Sequence, residues 1–316
     1  MVDFILYSYQ CNPEHIEIDP KKTFLTEYDI KENLRADENM ARHQALFQEF
    51  FEGEDEPSRK VGDQVFFKHS MGCYYAAKIM MNQGGIIMLR LQKDRTREFE
   101  KGFKILRQTE QPSVMIIIDN RTEQQRVLIE QKKDVFAPST IARMMEQTIG
   151  TWMTRKYRVG MRMRMVYKKE QFWNVIEEYG YCIKKLVFDF PYPNMARPMD
   201  KLGASLKKFG VCLKGKVRVV TTSQPRDYLV ISPKEKNADL DEIVSYLYEV
   251  GSPVDIYLVN GERVKCVSKD NPTIVHVHDR IANYRGSDTV SPLFKEQFYE
   301  IVAQKLNEVQ KINYGG

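Results

Sequence analysis

A chain of 316 residues, 42% apolar and 29% charged, is long enough for one large domain or two and too apolar to be disordered. Its longest apolar runs, such as 114–118, are far too short to cross a bilayer, and it opens on no basic-then-apolar signal, so membrane insertion is not expected and a cytoplasmic location is. The net charge of +5 is mild but uneven: residues 151–220 hold sixteen cations against five carboxylates, and residues 1–60 hold fourteen carboxylates against seven cations.

In chain order, 4–9 reads as a strand and 30–51 as an acidic helix, with Leu34, Ala41, Ala45, Leu46 and Phe50 on a loose apolar stripe. Glu52-Gly53-Glu54-Asp55-Glu56-Pro57 ends it. Short strands follow at 65–68, 74–81, 86–91, 114–119 and 126–131, with Gly84-Gly85 and 120–123 as hairpin connections. The charged stretch 94–107 carries Phe99, Phe103 and Leu106 at helical spacing, which predicts a short helix crossing this meander. Pro138-Ser139-Thr140 opens a helix to about residue 155, whose buried stripe is Ile141, Met144, Met145, Thr148, Ile149 and Trp152.

A strand at 158–167, a helix at 171–179 stopped by Gly180 and a strand at 181–190 come next, before the break at Pro191-Tyr192-Pro193-Asn194. The last third predicts helices at 199–209, 240–250 and 291–309, and strands at 211–221, 228–232, 254–259, 263–268 and 273–278. The expected class is α+β: an N-terminal antiparallel meander with flanking helices, followed by a second mixed α/β region. Three segments are expected: an acidic one at 1–60, a sheet domain at 61–195 and a C-terminal domain at 196–316.

The basic window carries the main functional signal. Strand alternation over 158–168 puts Arg158, Arg162, Arg164 and Lys168 on one face, against Val159, Met161, Met163, Met165 and Tyr167 on the other. The strand at 211–221 repeats this with Lys214, Lys216 and Arg218 opposite Leu213, Val217 and Val219. If the two strands are neighbours, their cations form a track suited to phosphate, and arginine's planar fork fits phosphate better than solubility alone requires. Nucleic acid, DNA or RNA, is therefore the expected partner, held by its backbone with little base readout. An acidic protein partner or a second copy of the chain is the alternative for the same charge.

Asp119 at the end of an apolar strand, followed by Glu130-Gln131-Lys132 on the next, resembles the D…E-x-K arrangement of restriction-endonuclease-like nucleases. That resemblance implies Asp119 and Glu130 as Mg²⁺ ligands and Lys132 as an assistant to the attacking water. It covers about fourteen residues and departs from the pattern at the Asn120-Arg121 turn, with only Glu98 or Glu100 to supply a preceding acid. The plainer reading makes Asp119 and Asn120 a hairpin cap. His276-Val277-His278 has chelating spacing but no evident third ligand. The chain lacks the phosphate-loop, dinucleotide, nucleophile-elbow and H-E-x-x-H motifs. Its five dispersed cysteines read as reduced, mostly buried thiols. Large, motif-poor cytosolic proteins with a basic strip are frequent in bacterial mobile-element and antiviral loci, which makes antiviral defence an expected context.

Overall fold

The computed structural model describes residues 1–16, 25–53, 60–101, 104–121, 124–190, 217–225, 227–232, 234, 237–249, 251–252, 254–266, 272–286 and 292–312. β1 (Val2–Pro13) leads through α1 (Glu27–Ala41) and α2 (His43–Glu52) to β2 (Lys60–Val61), β3 (Gln64–Lys68), β4 (Tyr74–Gln83) and β5 (Ile86–Gln92). Then come β6 (Arg95–Lys101), β7 (Lys104–Glu110), β8 (Ser113–Asp119) and β9 (Arg126–Glu130). α3 (Pro138–Met145), a π-helical turn (Glu146–Gly150) and α4 (Thr151–Tyr157) follow without interruption, before β10 (Val159–Met165), α5 (Glu170–Tyr179) and β11 (Ile183–Phe190). The last elements are β12 (Val217–Thr222), α6 (Ala238–Glu249), β13 (Asp255–Leu258), β14 (Arg263–Lys265), β15 (Ile274–Val277), α7 (Asp279–Ala282) and α8 (Pro292–Ile312). The class is α+β, with antiparallel strand pairing throughout.

The main sheet has nine strands in the order β10-β1-β9-β8-β5-β4-β3-β2, and β15 shares one side of β1 with β10, end to end. β1 is buried on both faces, which its near-continuous run of apolar and small residues allows. Ile5, Tyr7, Tyr9 and Cys11 enter a core covered by α1 to α4, whereas Phe4 and Leu6 enter a second core covered by α7 and α8. β3 near one end of the sheet and β10 at the other both touch the α3–α4 helix, so the sheet curls around it. A second sheet, β12-β11-β13-β14, packs one face on α5 and α6 through Phe172, Ile176, Phe188, Leu247 and Ile256.

Local sequence explains the turns that set this geometry. Gly84 and Gly85 both have positive φ, at 57° and 80°, as a two-residue hairpin matched to strand twist requires. α1 starts with a capping box between Thr26 and Asp29. Gly251, at φ 65°, follows α6 and lies so close to β10 that an added Cβ would stand 2.5 Å from Arg164 Cβ. That approach joins the two sheets.

Several expectations change. Residues 94–107 form no helix: β6 and β7 pair as a two-stranded ribbon, with Thr96 opposite Thr109 and Arg95 opposite Glu110. Threonines and opposite charges in cross-strand register favour a ribbon, and the helical spacing of three apolar residues was too short a pattern to decide. The acidic helix divides at Arg42 into α1 and α2. Residues 228–232 form no strand, although Leu229 N–H donates to the Ile183 carbonyl at 2.7 Å. Strand pairing crosses both expected boundaries, because β1 pairs with β9, β10 and β15, and β11 pairs with β12 and β13. The expected helix at 199–209 lies outside the described residues. Among the described residues no helix is long and apolar enough to cross a membrane, and the free cysteines Cys11 and Cys266 are buried whereas Cys73 and Cys182 are exposed.

Candidate nucleic-acid interface

Among the described residues, one face of the four-stranded sheet carries no helix, and alternation sends polar residues there. On β11, Ile183, Leu186, Phe188 and Phe190 enter the core, and a bulge between Ile183 and Lys185 leaves Lys185 and Asp189 on the outer face. Register places Arg218 opposite Asp189, and Tyr257 opposite both Lys185 and Arg263. Arg218 donates to Asp189 through Nε at 2.5 Å and Nη2 at 2.9 Å, and this bond raises its pKa. Arg263 donates likewise to Asp255 at 2.5 Å, while the Lys185 ammonium lies 4.2 Å from the centre of the Tyr257 ring.

One member of each expected row, Arg164 and Arg218, approaches Asp189, although their strands belong to different sheets. Arg164 on β10 donates to Ser252 Oγ at 3.2 Å, and Ser252 Oγ donates to the Asp189 carbonyl at 2.8 Å. Burial and then the neighbouring Arg162 lower the Arg164 pKa, and the Asp189 charge works in the opposite direction. Arg162 is exposed and has no ion pair among the described residues. The result is a mixed patch, with Asp189 at the junction of Arg164 and Arg218.

The remaining members of the expected track divide. Arg158 does not belong to the strand row: it caps α4 in the left-handed region, at φ 54°, and its Nη2 donates to the Glu14 carbonyl at 3.0 Å. Helix geometry continues one residue further than alternation assumed. Lys168 is exposed just beyond β10. Lys214 and Lys216 lie outside the described residues.

Asp119, Glu130 and Lys132 do not form a metal site. Asp119 pairs with Arg126 in register, and Glu130 lies four positions further along β9, about 14 Å away at strand rise. Two carboxylates on one Mg²⁺ must bring their oxygens to about 2.1 Å from it. Asp119 is instead buried in a fork with Arg121, whose Nε and Nη2 donate at 2.8 and 2.7 Å. Glu130 accepts from the Met115 N–H at 2.8 Å, and Lys132 donates to the Ser113 carbonyl at 3.3 Å. Each therefore has a structural partner, and the hairpin-cap reading of Asp119 accounts for its contacts with Arg121. His276 bonds Asp3 at 2.7 Å and His278 caps α7, so that pair is also engaged. No group of three or more metal-ligating side chains occurs among the described residues.

Sequence reasoning missed Lys185, Tyr257 and Arg263. Their alternation with Leu186, Ile256 and Val264 was a usable signal, but their common face depends on which strands pair. Comparisons with protein-family models, curated proteins and solved structures return no match, so the reading of this surface rests on its own geometry.

Proposed function

We propose that this protein binds nucleic acid through the phosphate backbone, using the polar face of the four-stranded sheet and the adjoining edge of β10. The observation that carries the reading is that Arg164, Arg218 and Arg263 gather around Asp189 and Asp255, with Arg162 beside Arg164, Lys185 on the same sheet face and Glu146 also acting on Arg164. Arginine forks suit phosphate oxygens, and an exposed sheet face lets several engage one backbone at once. Arg162 is exposed with no ion pair among the described residues and is the contact to test first; Lys168 extends the field beyond β10.

The test is a salt-titrated binding assay with single- and double-stranded DNA and RNA, with and without Mg²⁺. Arg162→Ala should weaken binding about eightfold at 0.1 M salt and make the slope of log K against log salt shallower by about 0.9. Wild-type affinity and slope in a folded Arg162→Ala protein would remove the reading.

A further inference from the structure

A second site lies away from this face, in a cleft of about 660 Å³ between the β3–β4 hairpin and the helix formed by α3, the π-helical turn and α4. Alternation turns Val65 and Phe67 into the first core and leaves Phe66 and Lys68 on the opposite side, with Tyr74 directly across from Lys68. The helix contributes Thr151, Trp152, Arg155 and Lys156 from one face, since residues four apart are neighbours. The hairpin is fixed to the π-helical turn by the Lys68 N–H, which donates to Thr148 Oγ1 at 2.8 Å. π-helical turns inside α-helices occur often at functional sites.

The chemistry of the lining divides by depth. Trp152 and Phe66 give an aromatic floor, and Tyr74 gives a wall that is 57% exposed. Lys68 and Arg155 stand exposed at the rim, with no ion pair among the described residues. Lys156 is already ordered: it bonds Glu49 at 2.8 Å and lies 5.4 Å from the Trp152 ring centre. Flat rings below cations that have no ion pair among the described residues suit a ligand that joins an aromatic base to a phosphate, and the volume falls within the ordinary range for small-ligand sites. We propose that this cleft binds a phosphorylated nucleoside, with the base against Tyr74 and the aromatic floor and the phosphate between Lys68 and Arg155. This proposal is independent of the sheet face. The nucleoside phosphate is either a free nucleotide or one unpaired nucleotide of a strand.

Titration of the full chain with AMP, adenosine, inorganic phosphate and a short single-stranded oligoadenylate, followed by Trp fluorescence and calorimetry, tests it. Trp152 lies in the cleft, and the chain's other tryptophan, Trp173, lies in a separate core and bonds Asp241. AMP should bind at least about tenfold more tightly than adenosine or phosphate. Arg155→Ala and Tyr74→Ala should each weaken AMP about tenfold, Tyr74→Phe should retain affinity, and Arg162→Ala should leave AMP binding unchanged. In the Arg162→Ala protein, oligoadenylate binding that is tighter than AMP binding and is weakened by Tyr74→Ala would identify the strand as the source, and tighter AMP binding a free nucleotide. The proposal is overturned if neither AMP nor the oligoadenylate binds, if adenosine or phosphate alone binds as well as AMP, or if Arg155→Ala and Tyr74→Ala both bind like wild type. Oligonucleotide binding weakened about eightfold by Arg162→Ala at 0.1 M salt, with AMP binding intact, would separate the two sites.

Discussion

Replacing Asp189 with Asn tests whether the charge at the junction of the two sheets regulates polyanion binding. Its carboxylate occupies both Arg218 Nε and Nη2, at 2.5 and 2.9 Å, and its charge supports the Arg164 cation. Asparagine has nearly the same shape and keeps the backbone carbonyl that accepts from Ser252 Oγ, so the tie between sheets survives. Arg218 and Asp189 are exposed, at 66% and 45% of their side chains, and such pairs add little to stability. The substitution therefore changes the guanidinium available to phosphate far more than it changes the fold.

If the released Arg218 displaces one further counterion, the salt slope steepens by about 0.9. That corresponds to tighter binding by about eightfold at 0.1 M salt and about fourfold at 0.2 M. Fluorescence anisotropy with one labelled oligonucleotide at four salt concentrations measures both quantities, and a thermal melt checks folding. Combining Asp189→Asn with Arg162→Ala should return affinity to near wild type. Unchanged or weaker binding in a folded Asp189→Asn protein would refute the idea that phosphate meets Arg218.

Three other substitutions probe the frame around the sites. Gly251→Ala forces a Cβ to within 2.5 Å of Arg164 Cβ and 2.9 Å of the Met165 carbonyl at positive φ, and should cost about 1–3 kcal/mol in urea denaturation. Asp119→Asn leaves Arg121 without its fork and should cost about 3 kcal/mol, with no effect on the Mg²⁺ dependence of any bound-strand signal. His43 is half-buried, with Nδ1 2.8 Å from the Met40 carbonyl and Nε2 2.6 Å from Gln125 Nε2; the partial burial lowers its pKa. The unfolded chain then takes up the proton first, so this contribution is complete above about pH 6.5 and is lost as pH falls toward the folded value. The urea midpoint should drop between pH 7.5 and pH 5 in wild type, and by less in His43→Gln.

The legible part of this fold was local. The short, nearly continuous apolar runs of β5, β8 and β9, the paired glycines at 84 and 85, and the proline-led start of α3 each state their own conformation within a few residues. The charged hairpin of β6 and β7 was misread because three apolar residues at helical spacing are too short a pattern to decide, and cross-strand register decided instead. Arg158 was misread for a related reason: a cation adjoining a strand counts toward its row only if the preceding helix has already ended.

The candidate sites were hidden at a different level. Lys68 and Tyr74 share a mouth because a five-residue loop returns the chain, yet Arg155 joins them from a helix more than eighty residues later, held there by the Thr148 bond to the hairpin. Composition located the cations of the basic window correctly but could not assign them to faces. Arg155 and Lys156 come from the α4 side of the main sheet, and Arg162 projects from β10 away from the core that α4 covers. A single run of positive charge in sequence is thus divided by a sheet into two surfaces with different surroundings: one beside aromatic rings, one beside aspartates. Surroundings of that kind, rather than the total charge, determine what each surface can hold, which is why single substitutions on the two sides should separate AMP binding from strand binding.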